Sequence, residues 1–427
     1  MGAREQPARE LRRIIRGPYL QLGTPNTITI RWRTDKPTSS LVRYGPALDR
    51  LIHAVNADGI NRDHVIELSG LVPGTRYFYT IGSLEGVFGG GDENHFFITA
   101  PPPGLQKPTR IWVLGDSGTQ NKSARSVRDA YDKFSIQRRA DLWLMLGDNA
   151  YTSGKDSEYQ GALFEMYPRT LRSTVLWPAL GNHDARSANS TNQTGPYYDI
   201  FTLPAFGQAG GAPSGTEAFY SFDYANIHFI CLDSAASDLS ESGPTIEWLK
   251  RDLAANSRTW TVAFLHHPPY TRGGHDSDND SDSDGIMRQV RENIVPIIEQ
   301  GGVDVVLSGH SHNYERSFLL DGFHGSIEAF TDAHKRSRGD GRVFGDGPYV
   351  KFGAPPAPHA GTVYVVAGSS GKTHKFPKFK HPAMVTGINT LGSLVIDVCG
   401  SRLDATFLDD KGNHRDDFTI IKKLEIP

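Results

Sequence analysis

"DLWLMLGDNAY" spans Asp141–Tyr151. Apolar residues run without interruption from Leu142 to Leu146, then give way to Gly147 and Asp148. An unbroken apolar run closed by a turn residue predicts a strand buried on both faces. The carboxylate at its end leaves the core into a place where it needs a partner. The pattern recurs around Asp116 in "RIWVLGDSG" and around Asn182, His183 and Asp184 in "VLWPALGNHD". It returns at His266 and His267 in "WTVAFLHHPPY" and at His310 and His312 in "VDVVLSGHSH". Stretches of helical period lie between these runs, among them "SARSVRDAYDKFSIQRRA", "TIEWLKRDLAAN" and "MRQVRENIVPIIEQ". Alternating strands and helices, with polar residues at the strand ends, is the layout of an α/β enzyme.

Upstream the texture changes. "TITIRWRT", "SLVRYG", "DHVIELSG", "TRYFYTIGS" and "HFFITA" are short strand-like runs with Pro and Gly between them. They predict an antiparallel β-sandwich of the fibronectin III kind over residues 17–105, after an extension at 1–16. The proline-rich "APPPGLQKP" reads as a stiff linker, and the α/β part follows at 106–427. The terminal runs "GTVYVVAGSSG" and "LGSLVIDVCGSRLDATFLDDKG" complete a sheet.

Bulk composition excludes several classes. The 427 residues carry 45 Lys+Arg against 48 Asp+Glu, a net charge of −3, which favours neither nucleic acid nor an anionic membrane. No window approaches the ~20 apolar residues of a membrane helix. The first residues, "MGAREQPARELRRIIRGPY", lack the apolar stretch of a signal peptide. Cys231 and Cys399 both sit in apolar strand-like runs and read as buried thiols, without metal-ligand spacing.

The strand ends together offer Asp116, Asp148, Tyr151, Asn182, His266, His310 and His312. Seven oxygen and nitrogen donors suit two cations that share one carboxylate, with Asp148 as the bridge. Carboxylate and phenolate favour a harder trivalent ion such as ferric iron; imidazole and amide oxygen suit a divalent ion such as zinc, iron or manganese. Two such ions ~3.5–4 Å apart clamp both oxygens of a phosphoryl transfer. His183 lies beside the metals and reads as a substrate-contacting or proton-donating group, its imidazole oriented by Asp184. His267 either supports a ligand or fills the core.

The elements GD, GDxxY, GNHD, an apolar run ending in His, and "GHSHNYER" occur in this order at 115, 147, 181, 266 and 309. In that order they resemble the calcineurin-like metallophosphoesterases, and within them the purple acid phosphatases. The resemblance covers essentially the whole chain, because plant-type members carry an N-terminal fibronectin-like domain. It implies a layered α/β/β/α catalytic domain. It also implies a ferric site of Asp116, Asp148, Tyr151 and His312, and a divalent site of Asp148, Asn182, His266 and His310. It makes His275 a loop histidine near the leaving oxygen, so that Asn182, His183 and His275 meet the substrate and His183, His275 and Asp184 serve catalysis. The implied reaction is hydrolysis of phosphate monoesters by a hydroxide formed at the metals, with an acidic optimum. A phosphodiesterase or nucleotide pyrophosphatase is the alternative on the same metals. Small phosphorylated molecules are the implied partners, and export from the cytoplasm is the implied location; oligomeric state has no signal.

Three further readings concern the surroundings. "HDSDNDSDSDG" contains the start of a calcium loop, but its twelfth position is Arg291 rather than Glu, so it reads as a solvated acidic loop. Glu315 and Arg316 read as a structural pair below the site. His374 and His381 read as surface histidines.

Overall fold

The computed structural model describes residues 13–375 and 380–424. Its N-terminal part is an antiparallel β unit of six strands between Ile14 and Ile98. The runs "TITIRWRT" and "SLVRYG" are one strand, Ile28–Gly45, rather than two. Its ladder with His53–Leu68 breaks between Arg33 and Thr38, where Pro37 has no N–H to give, and the strand continues beyond. Before the break it pairs with Ile14–Gln21, and after it with Arg76–Ser83. Strand Ile14–Gln21 begins inside the stretch read as an N-terminal extension; residues 1–12 of that stretch lie outside those described.

Two sheets form the rest. The first runs Tyr349–Phe352, His414–Lys423, Arg402–Asp409, Gly392–Cys399, Thr109–Leu114, Leu142–Met145, Val175–Pro178. Its last three strands are parallel. The second has Ile227–Cys231, Trp260–Leu265, Val305–Ser308 and Thr362–Ala367 as its parallel centre. Ring stacking shows how the layers meet. Trp177 of the first sheet lies 3.8 Å from Phe222 of the second, and Tyr314 of the second lies 4.2 Å from Phe407 of the first. On the outer face of the first sheet, Trp112 stacks at 3.9 Å on Tyr131 of helix Lys122–Phe134. Trp248 of helix Pro244–Ala255 is equally buried against Phe219. Helix, sheet, sheet and helix are therefore layered around one apolar core. The expected helix over 287–300 is interrupted: a π turn, Val290–Ile294, joins Ile286–Gln289 to Val295–Gln300 just ahead of Pro296.

The N-terminal sheet is fastened to these layers by specific bonds. Arg16 forms a bidentate pair with Asp156 at 2.9 and 3.0 Å. The Tyr19 hydroxyl donates to the Ile200 carbonyl, and that of Tyr79 to the Arg172 carbonyl, at 2.9 and 2.7 Å. Cys231 is buried, Cys399 is exposed, and both are free thiols, so the second departs from the expectation of a buried one.

Candidate dimetal site

Asp116, Asp148 and Asn182 follow the C-terminal ends of the three parallel strands of the first sheet. His266 and His310 follow Trp260–Leu265 and Val305–Ser308 of the second. The rims of two sheets therefore converge on one place. Crowding there explains the glycines of the motifs. A Cβ on Gly181 would lie 2.0 Å from the Asp148 nitrogen, and one on Gly309 would lie 2.5 Å from Asp116 Oδ2. The ligand residues themselves take unusual backbone conformations. Asp116, Asp148 and His310 have φ of 57°, 52° and 66°, the left-handed region that non-glycine residues seldom occupy. Such strain persists only where surrounding structure holds it, and it gathers at functional sites.

The side chains form two triangles. In one, His266 Nε2 lies 2.9 Å from Asn182 Oδ1 and 3.3 Å from His310 Nδ1, which is 3.2 Å from the same Oδ1. In the other, the Tyr151 hydroxyl lies 3.1 Å from Asp116 Oδ1 and 3.2 Å from His312 Nε2, with that nitrogen 3.3 Å from Asp116 Oδ1. Asp148 stands at the first triangle, its Oδ1 3.5 Å from His266 Nε2. It also links the two, since Asp116, Asp148 and His266 bring ligand atoms within 4.8 Å of one another.

The proton inventory decides what the first triangle is for. His266 Nδ1 donates to the Leu146 carbonyl at 2.9 Å, which leaves a lone pair on Nε2. The Ser283 hydroxyl donates to Asp282 at 2.9 Å and so accepts from His310 Nε2–H at 2.7 Å, which leaves a lone pair on His310 Nδ1. Burial holds His310 well below the usual histidine range, in keeping with a neutral ring. With both rings neutral, three acceptors face one another at hydrogen-bond distance and no proton lies among them. A cation between them turns that repulsion into binding. The second triangle differs in holding one proton, that of the Tyr151 hydroxyl, which donates to Asp116 Oδ1. Burial, Asp116 and Asp148 together push the Tyr151 phenol far above its usual value. A bound cation is what inverts that balance and makes a phenolate. The donors therefore fit two ions: Asn182, His266, His310 and Asp148 for one, Asp116, Tyr151, His312 and Asp148 for the other.

His183 and His275 flank this cluster in matching fashion. His183 Nδ1 donates to the Thr152 carbonyl at 2.7 Å, and its Nε2 stands 3.9 Å from Asp148 Oδ2. His275 Nδ1 is 2.8 Å from Asp282, and its ring stacks 4.0 Å over His310. In both rings Nδ1 is pinned and Nε2 is left for another partner. His267 packs behind, 4.4 Å from His310, with the Ser234 hydroxyl at its Nδ1.

Asp184 does something other than orient His183. It is fully buried and accepts from the Asn149 and Gly181 N–H groups at 3.1 and 3.0 Å and from the Tyr159 hydroxyl at 2.7 Å. It thereby ties the loop after Asp148 to the loop before Asn182. Burial, then the nearby charge of Asp148, raise its carboxyl to about 7.

The acidic loop is the largest correction. It folds onto the site: Asp282 holds His275, and Ser283 holds His310. Asp278 turns inward to Arg291 at 3.4 Å and to His381 at 3.3 Å, and His381 is fully buried rather than on the surface. His374 is exposed, yet its ring meets His312 Nδ1 at 3.2 Å, and Lys372 Nζ sits 3.9 Å over the Tyr151 ring. Glu315 and Arg316 do not pair with each other. Glu315 accepts from the Thr271 hydroxyl, and Arg316 is bidentate to Asp416 at 2.7 and 2.9 Å.

Known proteins share both halves of this architecture. The calcineurin-like phosphoesterase model matches residues 109–314, the stretch that carries the strand ends of the site up to Tyr314. Residues 15–98 match the N-terminal domain model of purple acid phosphatases. Purple acid phosphatase 15 of Arabidopsis thaliana is 28% identical over 60% of this chain. The match spans 49% of that relative, about half of its length. Acid phosphatase type 7 of Mus musculus is 26% identical over 72% of this chain and 72% of its own. The solved structure of a purple acid phosphatase from yellow lupin seeds (Lupinus luteus) superposes with a TM-score of 0.71. It covers 95% of this chain and 74% of the lupin chain at 17% identity, a likeness of fold.

Proposed function

We propose that the chain hydrolyses phosphate monoesters at a centre of one ferric and one divalent ion, the latter zinc, iron or manganese. The observation that carries this reading is the pair of triangles: one is a set of lone pairs without a shared proton, and in the other Asp116 and His312 close on the Tyr151 hydroxyl, whose proton a cation would replace. The phenol in the second favours a hard trivalent ion on that side. Bound there, the two ions would polarise the phosphoryl group and lower the pKa of an attacking water.

The chain's own groups supply the rest. Asp148 and Asn182 fix the substrate's side of the site from two neighbouring strand ends. His183 presents Nε2 beside Asp148, where a proton on that atom meets an oxygen of the phosphoryl group. His275, its Nδ1 held by Asp282, carries a proton on Nε2 for the departing alkoxide. Small phosphorylated molecules are the substrates in this reading. Family resemblance supports an exported enzyme; among the described residues no helix is long and apolar enough to cross a membrane.

Initial rates on p-nitrophenyl phosphate and on its bis-ester test the proposal. A higher kcat/KM on the monoester at mildly acidic pH is expected. Preference for the bis-ester would make the chain a phosphodiesterase, and an optimum above pH ~8 would remove the ferric assignment.

A further inference from the structure

The opposite rim of the first sheet holds a second feature. A cavity of about 340 Å³ opens where the N-terminal sheet meets the start of strands Leu142–Met145 and Val175–Pro178. The metal cluster follows the other ends of those same strands, so the two places are separated by the length of the sheet. Leu20, Phe96 and Ile98 supply one wall, and Arg139, Ser173 and Val175 face them.

Charge in this cavity is unbalanced. The Arg76 guanidinium lies 4.5 Å from the centre of the Phe96 ring, and that of Arg139 lies 5.5 Å from the same centre. One aromatic ring thus gathers two like charges. Arg139 donates to Ser173 Oγ at 3.1 Å, and among the described residues neither arginine forms an ion pair. The one carboxylate on the wall, Asp141, is already engaged by Lys107 at 3.2 Å and by the Arg110 N–H at 2.9 Å. Burial, then the nearby charge of Arg169, pull Arg139 below the usual arginine range against the opposing pull of the Asp132 carboxylate, with which it forms no ion pair.

We propose that this cavity is a second ligand site, specific for a small organic phosphate dianion. Arg76 and Arg139 clamp the phosphate, with Ser173 Oγ as a further donor. The apolar part lies against Phe96, Leu20 and Val175. Guanidinium forks match phosphate oxygens geometrically, and the volume is that of a small-molecule site. A ligand there bridges the N-terminal sheet and the α/β layers, so its occupancy ties the two together.

Calorimetric titration of phenylphosphonate into Asp148→Ala protein stripped of metal by chelator reads this site without the metal centre. One binding event is expected. Adding Arg139→Gln or Arg76→Gln should weaken it by about tenfold or more, the loss of one charge-assisted hydrogen bond. Arg76 is exposed, so Arg76→Gln keeps the test sound if Arg139→Gln disturbs folding. Absence of binding to Asp148→Ala would overturn the proposal. So would an affinity unchanged by Arg76→Gln in a protein of native circular dichroism.

Discussion

Among the described residues, the buried histidine and aspartate clusters around His228 and around His266 are built in opposite ways. Around His228 every polar atom finds a proton or gives one. Its Nδ1 and Nε2 lie 2.8 Å from Asp223 and 2.8 Å from Asp252, so both nitrogens donate and the ring is an imidazolium. The Ser221 hydroxyl and Arg258 satisfy the remaining oxygens at 2.7 and 3.0 Å. Around His266 the outer nitrogen spends its proton on the Leu146 carbonyl, and the inner one meets only acceptors. Residue type does not separate the two clusters; the direction of each hydrogen bond does. A cluster that saturates itself is structural, and one left with converging lone pairs is a cation site.

The contrast predicts different responses to substitution. Asp148→Ala removes the group shared by both halves of the second cluster. Bound metal should fall to one ion per chain or fewer, and kcat should drop about 10³-fold or more while the fold survives. Metal analysis with steady-state kinetics reads both. Retained activity would place the ions elsewhere.

The His228 cluster should instead respond to pH. Burial lowers its affinity for a proton, but the bonds to Asp223 and Asp252 outweigh burial and raise the pKa to about 9 from 6.5. The folded state therefore binds this proton more tightly than the unfolded chain. Its contribution, about 3 kcal/mol by linkage, is fully present below pH 6.5 and is lost as pH rises through 9. Denaturant midpoints at pH 6 and 9.5 should differ accordingly in metal-free protein, and His228→Gln should flatten the difference. A wild-type profile as flat as that of the variant would deny the ring its charge.

Ser283→Ala carries the smallest expected effect. It removes the acceptor that fixes the His310 tautomer, which should weaken the divalent ion by about 10- to 100-fold while leaving the ferric side in place. Chelator competition measures this. Equal loss of both ions would mean that Ser283 holds the loop rather than the ring.

The same contrast separates what was legible in the sequence from what was not. The seven donors could be read because each strand delivers its donor at or just past its end, and because the rim is too crowded there for a side chain on Gly181 or Gly309. Two strand periods and a few glycines thus encode the site locally. Asp282 and Ser283 had no such signal. They lie in a polar loop whose course depends on left-handed turns at Ser283 and Asp284, with φ of 54° and 52°, and on the inward pull of Arg291 and His381 upon Asp278. Composition there reads as solvated, whereas the tertiary contacts make it part of the site. The strand Ile28–Gly45 escaped for a related reason: Pro37 marks a turn in sequence, but a bulge absorbs it in the sheet. Asp184 bonds Asn149, Gly181 and Tyr159 instead of the expected His183, since four residues of sequence cannot say which way a buried carboxylate faces.

The central claim is that two cation sites meet at Asp148, with Tyr151 bound to the trivalent one. A visible absorption spectrum of the purified, iron-loaded protein, taken beside its metal content, tests it most directly. The account predicts about two ions per chain, at least one of them iron, and a charge-transfer band that Tyr151→Phe abolishes or strongly shifts without loss of fold. A colourless protein carrying iron, or a band unchanged in Tyr151→Phe, would contradict it.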